Sequence, residues 1–136
     1  MAQFDVHGFE GLLSELERLG RIDEIAPKMM NAGMEILQKE VVAEASKHED
    51  TGEMVSSIKP TGITMSTNGS YYMCTRPTGY DSRKRQRIRN MEKLVYLEYG
   101  VKGRPATPVI KTAVIRAEPG VVQAMRKVFE QEVSGG

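Results

Sequence analysis

The sequence is poor in the residues that cross-link or anchor small proteins. Its 136 residues include one cysteine, Cys74, and no tryptophan, and aromatic residues make up 6% of the chain. A single cysteine excludes an internal disulfide framework and a cysteine-rich zinc site. No apolar run approaches the ~20 residues that a membrane span needs, and the first residues do not resemble a signal peptide. We therefore expect one globular domain over residues 1–136, made in a reducing cytoplasm and not associated with a membrane.

Charge is nearly balanced over the whole chain but unevenly distributed along it. Residues 81–93 contain six Lys or Arg and two acids, which leaves 13 bases and 16 acids elsewhere. This pattern predicts a basic loop, at about 76–91, on a mildly acidic body. Such a loop could contact nucleic-acid phosphates, with steep salt dependence, but a solvated mobile loop or a contact with an acidic protein partner is favoured over DNA binding. The run of cations within it is Arg83, Lys84, Arg85, Arg87 and Arg89.

Apolar residues recur at helical spacing through the first third of the chain. Residues 2–6 could form a short edge strand, and residues 8–19 carry a stripe at 9, 12, 13, 16 and 19. The spacing next predicts the main core helix over 24–47, about 36 Å long, with Asp23 as its cap. A short helix should then start at the turn Asp50-Thr51-Gly52, with Thr51 as its cap, and end at Pro60.

Two apolar stretches flank Asn68-Gly69, the strongest short-range hairpin signal. A two-residue turn pairs Met65 with Tyr72 and Ile63 with Cys74, which places these four side chains on one face. We expect that face to meet the core, with Cys74 as a buried small hydrophobe.

Residues 94–113 organise the second half of the chain. An apolar and aromatic run ends at Gly100, and we interpret the stretch as a hinge between the sheet and a C-terminal helix that begins at Thr107-Pro108, with Thr107 as its N-cap. Gly100 and Gly103 should permit the turn, and Tyr96 and Tyr99 should anchor it. Glu98 and Arg104 are predicted to pair across this turn. Pro119-Gly120 should break or kink the helix, and residues 134–136 should fray. The fold class is thus α+β, with a long core helix and C-terminal helices packed on a small antiparallel sheet.

Catalytic patterns are weak throughout the chain. Asp50-Thr51-Gly52 matches the centre of the aspartic-protease signature, but charged residues surround it where that motif needs apolar ones. Residues 100–105 lack the spacing of a phosphate-binding loop. We therefore expect no enzyme, with no catalytic residues, cofactor or metal.

Three segments in order resemble a known family, the tail-completion or head–tail joining proteins of long-tailed phages. Asp50-Thr51-Gly52 with Met54 and Ser57-Ile58 resembles its "D-T-G-x-L-x-x-S-I" segment. The second segment, Tyr96 to Gly100, resembles a hydrophobic-E-aromatic-G pattern that includes Glu98 and Tyr99. The third, Arg104-Pro105 followed by an aliphatic helix with Ala113, resembles an R-P-F pattern. It departs from that pattern because Ala106 replaces the aromatic residue and Thr107-Pro108 is inserted.

The resemblance implies a structural virion protein that forms a homo-oligomeric ring, commonly a hexamer. Its implied partners are other copies of itself, the phage neck or connector, and tail-tube or tail-terminator proteins. It would be made in the bacterial host cytoplasm and act in the virion. In this reading the basic loop contacts a neighbouring subunit or lines the channel, where non-specific contact with DNA is possible. The alternative is a small nucleic-acid-binding module that uses residues 83–89.

Overall fold

The fold combines two long helices with small antiparallel sheets, which confirms the predicted α+β class. A computed structural model describes residues 2–3, 20–48, 52–65, 70–81 and 88–134. The helices are α1 (Ile22–Ser46), α2 (Glu53–Ser56), α3 (Asn90–Tyr99) and α4 (Ile110–Ser134). The strands are β1 (Ala2–Gln3), β2 (Lys59–Pro60), β3 (Thr64–Met65), β4 (Tyr71–Tyr72), β5 (Cys74–Arg76), β6 (Tyr80–Asp81) and β7 (Ile88–Arg89). The helix predicted for 8–19 lies outside the described residues.

Helices α1 and α4 build most of the core. Buried residues recur at helical spacing along one face of both helices, so each presents one apolar stripe to the other. The helices approach closely at two glycines: a Cβ on Gly33 would lie 3.0 Å from Val121 Cγ1, and one on Gly120 would lie 3.1 Å from Ile36 Cγ2. The prediction of a long core helix is confirmed, but α1 begins at Ile22. Asp23 therefore lies in the first turn and is not the cap.

Helix α4 continues through Pro119 and Gly120, so of the two predicted outcomes, a break or a kink, the break is wrong. Proline lacks the backbone N–H that bonds to the preceding turn, which normally destabilises a helix interior. Here Pro119 is exposed, and the buried Ala117 and Val121 on either side pack in one cluster with α1. Burial of a continuous stripe on both sides of the proline offsets the cost of the missing bond.

The sheet forms around β5, but in a register that differs from the prediction. Strand β5 pairs with β1 and β2, and β3 pairs separately with β4. Thr64 lies opposite Tyr72 and Met65 opposite Tyr71, a shift of one residue from the predicted pairing. An odd number of residues separates Met65 from Tyr71, which a symmetric two-residue turn does not allow.

The shift changes which side chains are buried. Cys74 accepts a backbone hydrogen bond from Thr61, not from Ile63, and it is buried as predicted. Met65, predicted to face the core, is 58% exposed because a shift of one position reverses the face of a strand. The predicted edge strand is confirmed for residues 2–3, which pair with Thr75 and Cys74.

Two further segments differ from their predicted structure. The polar stretch 77–91 is not simply a loop, because β6 and β7 pair within it and α3 begins at Asn90. The aromatic run that follows is helical rather than part of the sheet. Asn90 and Leu94, four residues apart, are buried, which is the spacing of one helix face. Tertiary packing here overrides the strand preference of Val95 and the tyrosines.

Candidate functional site

The connection between α3 and α4 is a folded turn with its own hydrogen bonds. Gly100 N donates to Tyr96 O at 2.9 Å, and Thr107 N donates to Leu97 O at 2.8 Å. Between them, Val101 and Arg104 exchange two backbone hydrogen bonds, of 3.1 and 2.9 Å. These bonds satisfy carbonyl groups at the end of α3 and bring the chain back alongside it. The start of α4 is thereby placed beside the last turn of α3.

Gly100 is required at this turn for two independent reasons. Its φ of 79° and ψ of 168° lie in a region that is essentially restricted to glycine. A Cβ on Gly100 would also lie 2.9 Å from the backbone nitrogen of Ala106. Gly103 has a φ of 88° but open space around it. Both glycines permit the turn, as predicted.

Glu98 caps α4 from the neighbouring helix. Its Oε2 accepts hydrogen bonds from the backbone nitrogens of Val109 at 2.8 Å and Ile110 at 2.7 Å, and its Oε1 accepts one from Lys111 at 3.0 Å. A carboxylate at this position satisfies unpaired helix N–H groups and interacts favourably with the positive end of the helix dipole.

Two predictions about this turn are therefore wrong. Thr107 is not the cap, because α4 starts at Ile110 and the acceptor is the carboxylate of Glu98. Glu98 also does not pair with Arg104: both carboxylate oxygens are directed to α4 amides, and Arg104 forms no ion pair within the described part of the chain. A carboxylate that accepts hydrogen bonds from three backbone N–H groups at a helix start is stabilised more than one that forms a single exposed ion pair with a guanidinium.

The other predicted residues of the turn between α3 and α4 are at the surface. Tyr99 is 79% exposed and Tyr96 is 46% exposed, so the interpretation that these tyrosines anchor the turn is wrong. Tyr96 OH donates to Glu92 on the same helix. Arg104 and Pro105 are both exposed. This part of the turn is available for contact rather than for internal packing.

The helix-start turn is only partly described. Asp50 and Thr51 lie outside the described residues, and Gly52 precedes α2 with a φ of 84°. Helix α2 ends at Ser56, earlier than predicted, and Pro60 belongs to β2. Met54 and Ile58 are buried in the main core cluster. Ser57 binds Thr78 through its side chain and its backbone carbonyl, which is a structural role.

Of the five cations in the basic run, the structure describes Arg89. Arg83, Lys84, Arg85 and Arg87 lie outside the described residues. Arg89 is exposed in β7, and its guanidinium carbon lies 5.8 Å from the ring centroid of Tyr80 on the paired strand β6. This distance is within the range of a cation–π interaction.

Sequence reasoning missed several buried polar groups. Glu44 is 5% exposed and accepts hydrogen bonds from Lys47, at 2.8 Å, and from Arg116 of α4. The hydrogen bond from the Lys47 ammonium, together with Arg116, holds the pKa of Glu44 below its usual range. The fully buried Asp81 pairs with Lys93 of α3. The sequence signal that could have indicated the burial of Glu44 is its position on α1 between Val41 and Ala45, which are apolar residues of the core stripe.

The side chains that the structure describes do not form a metal-binding cluster of the usual acidic, histidine or cysteine ligands. Among the residues that the structure covers, no three His, Cys, Asp or Glu side chains are grouped closely enough to hold a metal ion. Within the same part of the chain, no helix combines the length and apolar character of a membrane span. The chemically distinctive features are the capped turn and the surface around it.

Comparison of the chain with protein-family models, curated proteins and solved structures gives no match in any of the three.

Proposed function

We propose that the protein is a non-enzymatic virion subunit of a long-tailed phage. In this role it forms a ring, hexameric by resemblance, that completes the tail or connects the head to it. Its partners are other copies of the chain, a neck or connector protein, and tail-tube or tail-terminator proteins. The proposal rests on the order of the three sequence segments and on how those segments fold together.

The main supporting observation is that residues of all three segments pack in one core cluster. Met54 and Ile58 of the first segment and Ala113 of the third are buried there, and Leu97 of the second packs against them. The three segments thus pack together around the start of α4. Tyr96, Tyr99 and the turn that follows them remain exposed beside this core. A shared scaffold with an exposed surface beside it suits an assembly protein better than an enzyme.

Deletion of the gene in the phage that encodes it tests the proposal. We expect filled heads and separate, finished tails in electron micrographs, because joining fails after both parts are complete. Complementation with the wild-type chain should restore infectious particles. Normal virions after deletion would refute the proposed role.

The basic run gives a sharper test of the contact that joining requires. The double substitution Arg85→Glu and Arg87→Glu should prevent ring assembly or head joining, since both interpretations of the run need its positive charge. Arg126→Glu with Lys127→Glu is a matched control, because both of these exposed residues lie elsewhere, on α4. Equal virion yields from the two variants would remove the basic run from the proposal.

A second candidate function is nucleic-acid binding by the β6–β7 region. The observation that favours it is the exposed Tyr80 ring beside Arg89, next to a run of four further cations in the sequence. Aromatic rings among cations suit single-stranded nucleic acid. Titration of the protein with labelled DNA over a range of salt concentrations tests it. Binding that falls steeply with salt supports this candidate, and undetectable binding at low salt removes it.

A further inference from the structure

Four methionine side chains line one small pocket between α1 and α4. The pocket has a volume of about 70 Å³. Met30 and Met34 line it from α1, Met125 lines it from α4, and Met73 lines it from the position between β4 and β5. The chain contains nine methionines, so almost half of them meet at this one place. We refer to these four residues as the methionine pocket.

Helical spacing and a glycine bring these side chains together. Met30 and Met34 are four residues apart, so they lie on the same face of α1. Gly33 also lines the pocket, and it has no side chain to fill the space between the helices. A Cβ on Gly33 would lie 3.2 Å from the sulfur of Met125. The thioether of Met125 therefore lies against the α1 backbone at Gly33, next to the positions of Met30 and Met34.

The methionine pocket is open to solvent on one side. Met34 is 7% exposed, whereas Met30, Met73 and Met125 are only partly buried. The partly exposed side chains give a ligand as small as a metal ion a route into the pocket, which any metal site requires.

The side chains of the pocket favour a soft ion over a hard one. The other described lining residues are Gly33, Leu37 and Val121, so none of the described lining side chains carries an oxygen or a nitrogen. Ca²⁺ and Mg²⁺ are bound by oxygen ligands, whereas thioether sulfur is a soft ligand that selects Cu(I). Several thioethers without a competing hard ligand therefore suit Cu(I), or Ag(I), which has the same charge and also a filled d shell.

We propose that the methionine pocket binds one Cu(I) ion through its thioether sulfurs. The ion bonds to sulfurs from α1, from α4 and from Met73, so it joins parts of the chain that are far apart in sequence. Copper enters the site as Cu(I) and stays Cu(I), so binding involves no electron transfer. This site goes beyond the proposed virion function and does not depend on it.

Titration with Ag(I) tests the site residue by residue. The methyl groups of the methionines, labelled with ¹³C, are observed by NMR and assigned by single Met→Leu substitutions. Resonances of the methionine pocket should shift and saturate at one ion per chain. The methyl groups of Met29 and Met54 should not shift, because both are buried outside the pocket. Absence of shifts, or shifts confined to other methionines such as the exposed Met65, would overturn the proposal.

Leucine variants separate ion binding from packing. Methionine also fills irregular spaces in protein cores, and leucine preserves that role because its volume is similar, but it has no sulfur. Met30→Leu with Met125→Leu should weaken Cu(I) binding by about tenfold or more, since losing even an indirect partner of a metal ligand costs about 10- to 100-fold. Competition with a coloured Cu(I) chelator under anaerobic conditions measures the affinity.

Met29→Leu with Met54→Leu is the matched control. It has the same two substitutions at buried positions outside the methionine pocket, so it should bind Cu(I) as the wild type does. Circular dichroism shows whether both variants remain folded. Equal affinities of the two variants would show that the pocket methionines serve packing alone and would overturn the proposal.

The buried thiol of Cys74, next to Met73 in the chain, is the competing soft ligand. Cys74→Ala should leave the Cu(I) affinity largely unchanged. Neutral thioethers release no proton on binding, so the affinity should be constant between about pH 6 and pH 8, whereas a cysteine or histidine ligand must lose its proton. Loss of binding in Cys74→Ala, or an affinity that rises steeply with pH, would place the ion on another group and overturn the proposal.

Discussion

Glu98 lies in the last turn of α3, yet its carboxylate completes a different helix. We expect Glu98→Ala to lower the free energy of unfolding by about 1.5–3 kcal/mol, because three N–H groups at the start of α4 lose a charged acceptor. Glu98→Gln should cost less, since one amide oxygen can still accept a hydrogen bond. Urea denaturation measures both.

Thr107→Ala is the informative control for this prediction, because Thr107 is the residue that the sequence suggests as the cap. It should change stability by no more than about 0.5 kcal/mol, as an exposed substitution away from a specific contact does. A larger loss for Thr107→Ala than for Glu98→Ala would contradict the assignment of Glu98 as the cap.

Gly100 and Gly103 form a natural pair for separating two effects of glycine. Gly103→Ala introduces only the strain of a positive φ, about 1–2 kcal/mol. Gly100→Ala adds to this strain a contact with the Ala106 backbone that cannot be relieved by moving a side chain. We expect Gly100→Ala to cost at least about 2 kcal/mol and to exceed the Gly103 variant in thermal unfolding. Equal effects would show that space at Gly100 is not limiting.

The residue scale also shows where sequence reasoning stops. That Gly100 and Gly103 permit a turn could be predicted from their position between two apolar segments. The partner of Glu98 could not be, because the sequence gives the distance along the chain to Arg104 and to Thr107 but not the return path that brings α4 beside α3. The sequence therefore predicts that Glu98 pairs with the charged Arg104, whereas in the structure the Glu98 carboxylate accepts hydrogen bonds from backbone N–H groups of α4.

At the scale of elements, α4 keeps a proline in its interior. Pro119→Ala should raise the free energy of unfolding by about 1–3 kcal/mol, because alanine restores an N–H and removes the ring clash in a helix that is already continuous. Glu118→Ala, at the exposed neighbouring position, is the control for helix propensity alone. A destabilised Pro119→Ala variant would indicate that the proline shapes the packing of α4 on α1.

Helices α1 and α4 are also linked by charge. Lys47 and Arg116 lower the pKa of Glu44, so its folded-state pKa lies below its unfolded one. The stabilisation is then complete above the unfolded pKa of about 4.3 and is lost as the pH falls through the folded value.

Comparison of the wild type with Glu44→Gln over pH tests this link. The wild type should be more resistant to urea at pH 7, and the difference in midpoint should shrink steadily below about pH 4 as Glu44 becomes protonated. Glu35→Gln, at an exposed α1 position, should show little such difference. A difference that grows toward low pH would contradict the assignment.

Elements with strong periodicity could be predicted from the sequence, and those with mixed signals could not. Helix α1 follows an apolar stripe of Met34, Leu37 and Val41 that no local signal opposes. The run at 94–99 is different, because Val95 and the tyrosines favour a strand, whereas Asn90 and Leu94 are buried at helical spacing only in the folded structure. The expected break at Pro119 fails for a related reason: a local preference is overridden by burial against another helix.

At the scale of the whole molecule, the sequence pattern was sufficient to predict the fold class but not the surface. Long helices and a small antiparallel sheet follow from the apolar periodicity and the turn signals. Which aromatic side chains are buried does not: the sequence predicts that Tyr96 and Tyr99 anchor the turn, and the structure exposes them. Their exposure becomes visible only after α3 and α4 are placed in three dimensions.

The cap that Glu98 provides has a consequence for how the chain acquires its structure. The first amides of α4 have their acceptor on α3, a ten-residue helix that is too short to be stable alone in water. The start of α4 is therefore completed only when α3 has formed and docked. The two helices should behave as one cooperative unit in native-state hydrogen exchange, in which the amides of Val109, Ile110 and Lys111 become exchangeable together with those of α3.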